Sequence, residues 1–144
     1  MEKYKHTQTG YVIIISLAIA MILGSYFTKI NELESVAYTI FIVLLICLAL
    51  FYSLTITITE NFLKIKFGIG IIHKQFPLNE ITSYKIVKNP WYYGWGIHFT
   101  PHGYLYNVSG VYALEIITKN GKKYRIGTDD PEGLENILKQ SLIS

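Results

Sequence analysis

The sequence predicts a membrane α-helical hairpin followed by one mainly-β domain that a C-terminal helix caps. Two apolar stretches, Tyr11–Thr28 and Val36–Leu54, are 18 and 19 residues long and contain no charged residue. At ~1.5 Å per residue, each is long enough to cross a hydrocarbon layer of ~30 Å. From Leu54 onward, apolar and polar residues alternate, which is typical of half-buried strands. Near the end, Asp130 and Pro131 open a stretch with apolar residues at helical spacing.

These patterns divide the chain of 144 residues into five segments. Residues 1–10 are predicted to be a cytoplasmic N-terminus, 11–28 a first transmembrane helix, 29–35 a short external loop, 36–54 a second transmembrane helix and 55–144 the β domain. Basic residues flank the two spans on one side, whereas acidic residues dominate the loop between them: Lys3, Lys5, Lys64 and Lys66 against Lys29, Glu32 and Glu34. The positive-inside rule then predicts a multi-pass protein of the cell (inner or plasma) membrane with both termini in the cytoplasm.

Two alternatives exist for the apolar stretches. A basic start followed by an apolar run is also the pattern of a secretory signal peptide. The first run is longer than a usual signal core, however, and no small-x-small cleavage site follows Gly24. Buried core helices are the other alternative, but two uncharged runs that are apolar on every face fit a small soluble chain poorly. The single cysteine, Cys47, lies in the second run and cannot form an intramolecular disulfide.

The β domain is predicted to contain about seven antiparallel strands in a sandwich or partly open barrel. The segment between Gly96 and Val108 is expected to add one or two short strands. The predicted strands are Leu54–Thr59, Phe62–Phe67, Ile69–Phe76, Ile81–Lys88, Gly96–Thr100, Tyr104–Val108, Val111–Thr118 and Lys123–Gly127. Glu60–Asn61 is predicted to form a tight turn, and Asn120–Gly121 a type I′ hairpin turn. The C-terminal helix should cover the open end of the sandwich with its apolar stripe of Leu134, Ile137, Leu138 and Leu142.

The order of strands and final helix is that of a pleckstrin-homology-like (PH-like) domain. The residues that carry a more specific resemblance are Tyr93–Ile97, Gly103–Gly110, Ala113–Ile116, Gly121–Lys123, Arg125–Asp129 and Pro131–Glu132. On these residues the chain resembles bacterial PH-like domain membrane proteins, in which two transmembrane helices precede the domain. The family commonly has a basic residue, usually arginine, where His98 stands here. The resemblance implies a fold and membrane attachment, and it implies no reaction and no catalytic residues.

The segment from Trp91 to Tyr106 is dense in aromatic residues and glycines. Such a segment is typical of a docking surface for a protein or for the lipid headgroup layer. The alternative is that the rings fill a small core while Gly94, Gly96 and Gly103 permit close backbone approach. The candidate interaction surface consists of Trp91, Tyr92, Tyr93, His98, His102 and Tyr104.

Basic residues are spread over the polar faces of the predicted strands. Residues 54–144 hold ten Lys or Arg against seven Asp or Glu, which is too weak a bias to predict nucleic-acid binding. Lys64 and Lys66 follow the second span closely and are the candidate lipid-facing basic residues. The alternative is a solvated polar face.

No catalytic residues, no metal site and no cofactor are predicted. His98 and His102 are four positions apart, but Pro101 between them argues against a helix that would bring them together, and the sequence offers no third ligand nearby. We therefore expect a non-catalytic interaction or scaffold module that binds a protein partner or a second copy of itself. The alternative is a sensor of anionic lipid. A membrane enzyme is a further alternative that no motif supports.

Overall fold

Two β-sheets and three α-helices make up the fold in the computed structural model, which describes residues 1–30 and 34–143. Two short 3-10 turns, Leu78–Glu80 and Trp91–Tyr93, lie on either side of β5. The elements in chain order are β1 (Glu2–Thr9), α1 (Tyr11–Ile30), α2 (Glu34–Phe51), β2 (Ser53–Thr59), β3 (Phe62–Phe67), β4 (His73–Pro77), β5 (Ile81–Lys88), β6 (Gly96–Thr100), β7 (Gly103–Asn107), β8 (Tyr112–Thr118), β9 (Lys123–Gly127) and α3 (Pro131–Ile143).

The first sheet is antiparallel and has the order β1-β2-β3-β4. The predicted alternation in β2 is confirmed, because Leu54, Ile56 and Ile58 are fully buried on its inner face. Leu63, Ile65 and Phe67 oppose them on β3 and are also buried. The chain turns between these strands at Glu60 and Asn61, as predicted.

The second sheet has the order β5-β8-β9-β7-β6. Residues 1–30 and 34–143 therefore contain nine strands where about seven were predicted, and among them the pairing of β7 with β9 is parallel. The prediction of an entirely antiparallel domain was wrong at this pair. The hairpin of β6 and β7 attaches to β9, so that β7 runs alongside a strand that follows it by two elements.

The second sheet packs against the first with β6 as its edge strand on the side of α1 and α2. Near the start of β1, Tyr4 bonds to Asp130, which follows β9. Near the end of β1, Gln8 bonds to the carbonyl of Ser109, which follows β7. The end of β9 thus lies near the start of β1, and the end of β7 lies near the end of β1 that leads into α1. Because β6 lies beyond β7, it is the edge strand on the helix side of the sandwich.

The helices α1 and α2 lie between β1 and β2 in the sequence, and these two strands pair with each other. The amide of Gly10 donates to the carbonyl of Tyr52 over 2.7 Å, which closes the base of the helical pair. A Cβ on Gly10 would lie 3.0 Å from the Phe51 carbonyl oxygen and 3.2 Å from the Cβ of Val108. Farther along the pair, Gly24, Ser25 and Thr28 of α1 share a small crevice with Ala37 of α2. The small residues thus let the two helices pack closely.

Among the described residues, one helix, Tyr11–Ile30, is long and apolar enough to cross a membrane by length and composition, and the apolar part of the second, Ser35–Phe51, is shorter. The predicted second span reached too far, since α2 ends at Phe51 and Leu54 belongs to β2. The apolar run continues past the helix because Leu54 is a core residue of the sandwich. Of the predicted loop 29–35, Lys29 and Ile30 are helical, while residues 31–33 lie outside the described part of the chain.

The N-terminal segment is the largest correction. Residues 1–10 were predicted to be a polar N-terminus outside the β domain, but Glu2–Thr9 forms β1 of that domain and pairs with β2. This strand is polar because it lies at the edge of its sheet. Of the residues of β1, Tyr4 packs against the hydrophobic core. Edge strands need little apolar content, so the alternation that marked the other strands is missing here.

Two other boundaries also differ. The predicted strand Ile69–Phe76 begins only at His73, because Gly68 and Gly70 have φ of +43° and +96° and form a loop. The hairpin at Asn120–Gly121 is confirmed, but its turn is not type I′: the Gly121 amide donates to the Thr118 carbonyl over 2.8 Å. Gly121, with φ of +78°, follows that turn, which is the pattern of a three-residue loop.

The C-terminal helix begins and packs as predicted. Asp130 caps it, since its Oδ1 accepts the amide of Gly133 over 3.1 Å. Leu134 and Leu138 are fully buried in the core. Because α3 contacts β1 of the first sheet and β8 of the second, it closes the sandwich.

Candidate functional site

The aromatic segment before β6 forms a ladder of rings on the surface. Trp91 and Tyr92 are in edge-to-face contact with 6.2 Å between centroids, and Tyr92 and Tyr93 with 5.3 Å. Trp91 is 76% exposed and Tyr92 69%. The prediction that these two residues beside Pro90 are exposed is therefore confirmed, whereas the alternative of a filled core fails for them.

The ladder continues to the turn between β6 and β7. The hydroxyl of Tyr93 lies 2.8 Å from Nδ1 of His102. The other histidine of the predicted interaction surface, His98, has a different partner. His98 contacts the carbonyl oxygen of Trp95 through Nε2, which fastens this segment onto the outer face of β6. We call Trp91, Tyr92, Tyr93 and His102 the aromatic ladder.

Tyr104 does not belong to the ladder, although the sequence grouped it there. Its ring stacks on Tyr124 with centroids 5.7 Å apart and faces the inside of the sandwich. Its cross-strand neighbour is Phe99 of β6, which is 78% exposed and which sequence reasoning did not select. Ile97 lies on the same inner side of β6, where the first sheet no longer covers it. The alternation of β6 could have marked both residues.

Lys74 occupies an aromatic box between the sheets. Its Nζ lies 4.5 Å from the ring centroid of Tyr124 and 5.5 to 5.8 Å from those of Phe76, Tyr104 and Tyr106. Burial and the neighbouring Tyr104 raise the pKa of Tyr106 above its usual value. The lysine counted as part of a polar face thus makes cation–π contacts at the open side of the core.

Lys64 and Lys66 are exposed on the outer, polar face of the first sheet, and their contact with lipid stays a prediction. The strand register aligns them in two rows across four strands, Thr7-Thr55-Lys66-His73 and Lys5-Thr57-Lys64-Gln75. The row containing Lys66 is the one nearer to the helices. We call the outer face formed by these two rows the lysine–threonine face. Lys5 lies on it because residues 2–9 form a strand, which the sequence did not indicate.

A buried ion pair lies on the outer face of the second sheet. Nε of Arg125 donates to Oε2 of Glu115 over 2.8 Å, and Nη1 donates to Oδ1 of Asn89 over 2.8 Å. Burial alone would raise the pKa of Glu115, but hydrogen bonds and charge from Arg125 and Lys85 outweigh it and hold that pKa below its ordinary value. Arg125, one of the basic residues predicted to lie on polar strand faces, is buried. Its bond to Asn89 joins β9 to the chain just before the aromatic ladder.

The loop between β3 and β4 is fastened to the last turn of α2. The amide of Ile69 donates to the carbonyl of Ala49 over 3.2 Å, and the amide of Gly68 donates to Ser53 over 2.9 Å. A Cβ on Gly68 would overlap the carbonyl oxygens of Ala49 and Leu50. The loop therefore caps the C-terminus of α2, where helix carbonyls lack partners within the helix.

Within residues 1–30 and 34–143, no group of three or more His, Cys, Asp or Glu side chains is arranged to hold a metal ion. Comparison with protein-family models, with curated proteins and with solved structures found no match for this chain. The features that remain for function are the apolar helix pair, the aromatic ladder and the lysine–threonine face.

Proposed function

We propose that this protein is a non-catalytic, membrane-anchored interaction module in which a PH-like domain is held at the cytoplasmic face of the cell membrane. The observation that carries the proposal is the exposure of the helix pair. Eight large apolar side chains on α1 and eight on α2 are exposed. Two helices that are apolar on every side and uncovered by the domain would aggregate in water but are suited to lipid.

Length is compatible with two spans. The 20 residues of α1 extend about 30 Å, and the 17 apolar residues of α2 extend about 26 Å. Both values lie within the range that membrane-spanning helices use. Because β1 pairs with β2, both ends of the helix pair must lie on the same side of the bilayer. The flanking lysines favour the cytoplasmic side.

Retention of the first helix is favoured over cleavage as a signal peptide. Cleavage after α1 would remove β1, and with it the pairing to β2 and the bond between Tyr4 and Asp130. The core residue Leu54 would then border an open sheet edge. The β1–β2 pairing thus supports a stably anchored protein.

The PH-like assignment rests on the two packed sheets and the C-terminal helix. The extra edge strand β1 and the parallel pair β7–β9 are this chain's departures from the simple order of antiparallel strands. The aromatic ladder supplies the docking surface, since Trp and Tyr are the residues that most often anchor protein interfaces. It borders β6, an edge strand, and the occupant we propose is a protein, either a second copy or another membrane-associated chain.

Two measurements test the proposal. First, alkaline carbonate should leave the full-length protein in the membrane fraction, and a reporter fused to its C-terminus should be cytoplasmic. Extraction into the soluble fraction would refute the anchor.

Second, the mass of the complex should be measured after gentle extraction from the native membrane. We expect a defined oligomer or a stoichiometric protein complex.

The docking surface is tested by a matched pair of variants. Trp91→Ala combined with Tyr92→Ala should reduce the complex to a monomer. Tyr112→Ala, which removes another exposed aromatic side chain outside the ladder, should leave it intact. A monomer in the unaltered protein, or a complex that survives the double variant, would remove the ladder from the proposal.

The lysine–threonine face favours a second candidate, an anionic-lipid sensor. Lys66 and Lys64 lie in successive rows from the helix end, and each basic residue near an anionic surface contributes about 1 kcal/mol. Lipids that copurify with the full-length protein should then be enriched in anionic species. Lys64→Gln with Lys66→Gln should abolish the enrichment, whereas Lys119→Gln, in the β8–β9 turn, should not.

A further inference from the structure

We infer that the β3–β4 loop and the inner side of β6 rest in the headgroup layer of the same bilayer, so that the domain is held down beside its anchor. This inference rests on the membrane anchoring proposed above. The surface consists of Ile69 and Ile71 of the loop and Ile97 and Phe99 of β6, and we call it the apolar rim.

The depth of the loop is set by its bonds to α2. The amide of Ile69 lies 3.2 Å from the carbonyl oxygen of Ala49, which belongs to the last turn of that helix. The loop backbone therefore lies at the level where the helix leaves the hydrocarbon. Tyr11 and Tyr52 mark the same level at the two helix ends, and aromatic residues of this kind favour the interface.

The loop points its apolar side chains outward at this level. Ile69 is 59% exposed and Ile71 is 69% exposed, whereas Ile72 between the loop and β4 packs against the core. The loop is not loosely held, because its ends are joined by bonds between Phe67 and Ile72 and between Gly70 and Phe67. An ordered loop that exposes two isoleucines beside a membrane helix has the chemistry of an interfacial anchor.

Polar and basic side chains lie at the base of the loop, where lipid headgroups would surround them. Lys66 and His73 are cross-strand partners at its base, and both are exposed. An anionic leaflet attracts the ammonium group of Lys66 while the isoleucines enter the boundary between headgroups and acyl chains. The loop is thus apolar at its tip and basic at its base.

The edge strand β6 completes the rim. It is the strand of the second sheet on the helix side, and Phe99 and Ile97 lie on its inner side. The aromatic ladder lies on the opposite, outer side of β6. The same strand can therefore meet lipid with one side and a protein with the other.

The test uses nitroxide probes on the full-length protein with Cys47→Ala, in nanodiscs of phosphatidylcholine and phosphatidylglycerol. Probes replace Ile71, Phe99, Ile22 in the middle of α1, and Asn79 in the exposed turn at the far end of the sandwich. Accessibility to oxygen, which concentrates in lipid, is compared with accessibility to a water-soluble nickel chelate. We expect Ile71 and Phe99 to give ratios between those of Ile22 and Asn79.

Each other outcome is decisive. If Ile71 and Phe99 match Asn79 while Ile22 lies in lipid, the rim is overturned and the anchor stands. If the Ile22 probe is also in water, both the apolar rim and the membrane anchor are overturned. Spin–spin broadening at Ile71 or Phe99 that disappears on dilution with unlabelled protein would mean that a second copy covers the rim. As a second variant, Ile69→Gln should raise the nickel accessibility of the Ile71 probe, whereas Asn79→Gln in the same background should not.

Discussion

The hydroxyl of Tyr4 donates a hydrogen bond to Oδ2 of Asp130 over 2.9 Å and so joins the first strand to the last helix. The other oxygen of the same carboxylate accepts the amide of Gly133 and caps α3. Burial raises the pKa of Tyr4 well above its usual value, and the hydrogen bond and charge of Asp130 raise it further. The hydroxyl consequently stays protonated and remains a donor at any physiological pH.

Replacement of Tyr4 by Phe should therefore destabilise the protein while leaving its core packing intact. The loss of a hydrogen bond to a charged group predicts a decrease of about 1–3 kcal/mol in the free energy of unfolding. Thermal unfolding of the full-length protein in detergent measures it. Tyr112→Phe, at an exposed position, is the control and should change little. Equal effects from the two variants would show that the bond to Asp130 adds no stability.

Gly68 and Gly121 both have positive φ but differ in their surroundings. A Cβ on Gly68 would lie 2.6 Å from the carbonyl oxygen of Leu50, whereas a Cβ on Gly121 would have no atom within 4 Å. Gly121→Ala should thus cost only the backbone strain of about 1–2 kcal/mol. Gly68→Ala should cost about 1–3 kcal/mol more, because it also forces the loop away from α2. If the two variants unfold at the same temperature, the loop is not held against the helix.

The buried pair of Glu115 and Arg125 should be sensitive to the loss of one partner. Glu115→Ala leaves the Arg125 guanidinium buried without its counter-charge, which predicts a loss of about 3–5 kcal/mol. Lys85 contacts the same carboxylate at 3.3 Å, but its side chain is 64% exposed. Lys85→Ala should accordingly cost less than about 1 kcal/mol. Chemical denaturation compares the variants, and a larger loss from Lys85→Ala would contradict this ranking.

The same carboxylate predicts how stability depends on acid. Because the pKa of Glu115 is lower in the folded protein than its ordinary value of 4.5, the unfolded chain takes up this proton first as the pH falls. The stabilisation is complete above pH 4.5 and is lost as the pH falls through the lower, folded-state pKa. Unfolding midpoints measured across the acidic range should show this decrease, and Glu115→Gln should lessen it. An unchanged slope in the variant would assign the acid sensitivity to other carboxylates.

The positions of most core strands followed from local patterns. Ile81–Lys88 and Gly96–Thr100 were predicted with the bounds that the structure has, and the helix start at Asp130 and Pro131 was also predicted correctly. Alternation, turn glycines and helix caps depend on residues that are close in sequence. A single chain therefore contains the information that these predictions need.

The candidate site was predictable only in part. Trp91 and Tyr92 could be selected because a proline and a glycine surround an aromatic cluster, and Lys64 because it alternates with core residues. Phe99 and Ile71 were missed, since an apolar residue in a strand-like pattern is normally assigned to the core. The exposure of Phe99 depends on where the first sheet ends relative to β6, and that of Ile71 on how the β3–β4 loop is held against α2, and no local pattern contains either.

The sequence by itself determined the two apolar helices, the alternating strands and the capped C-terminal helix, because each has a period that neighbouring residues encode. Only the tertiary structure decided that residues 2–9 pair with β2, as Thr7 and Thr55 do across 48 positions of sequence. It also decided that β7 runs parallel to β9 and that Arg125 is buried. The physical reason is that strand pairing and burial depend on where distant segments return, and here the helix pair brings β2 back beside β1.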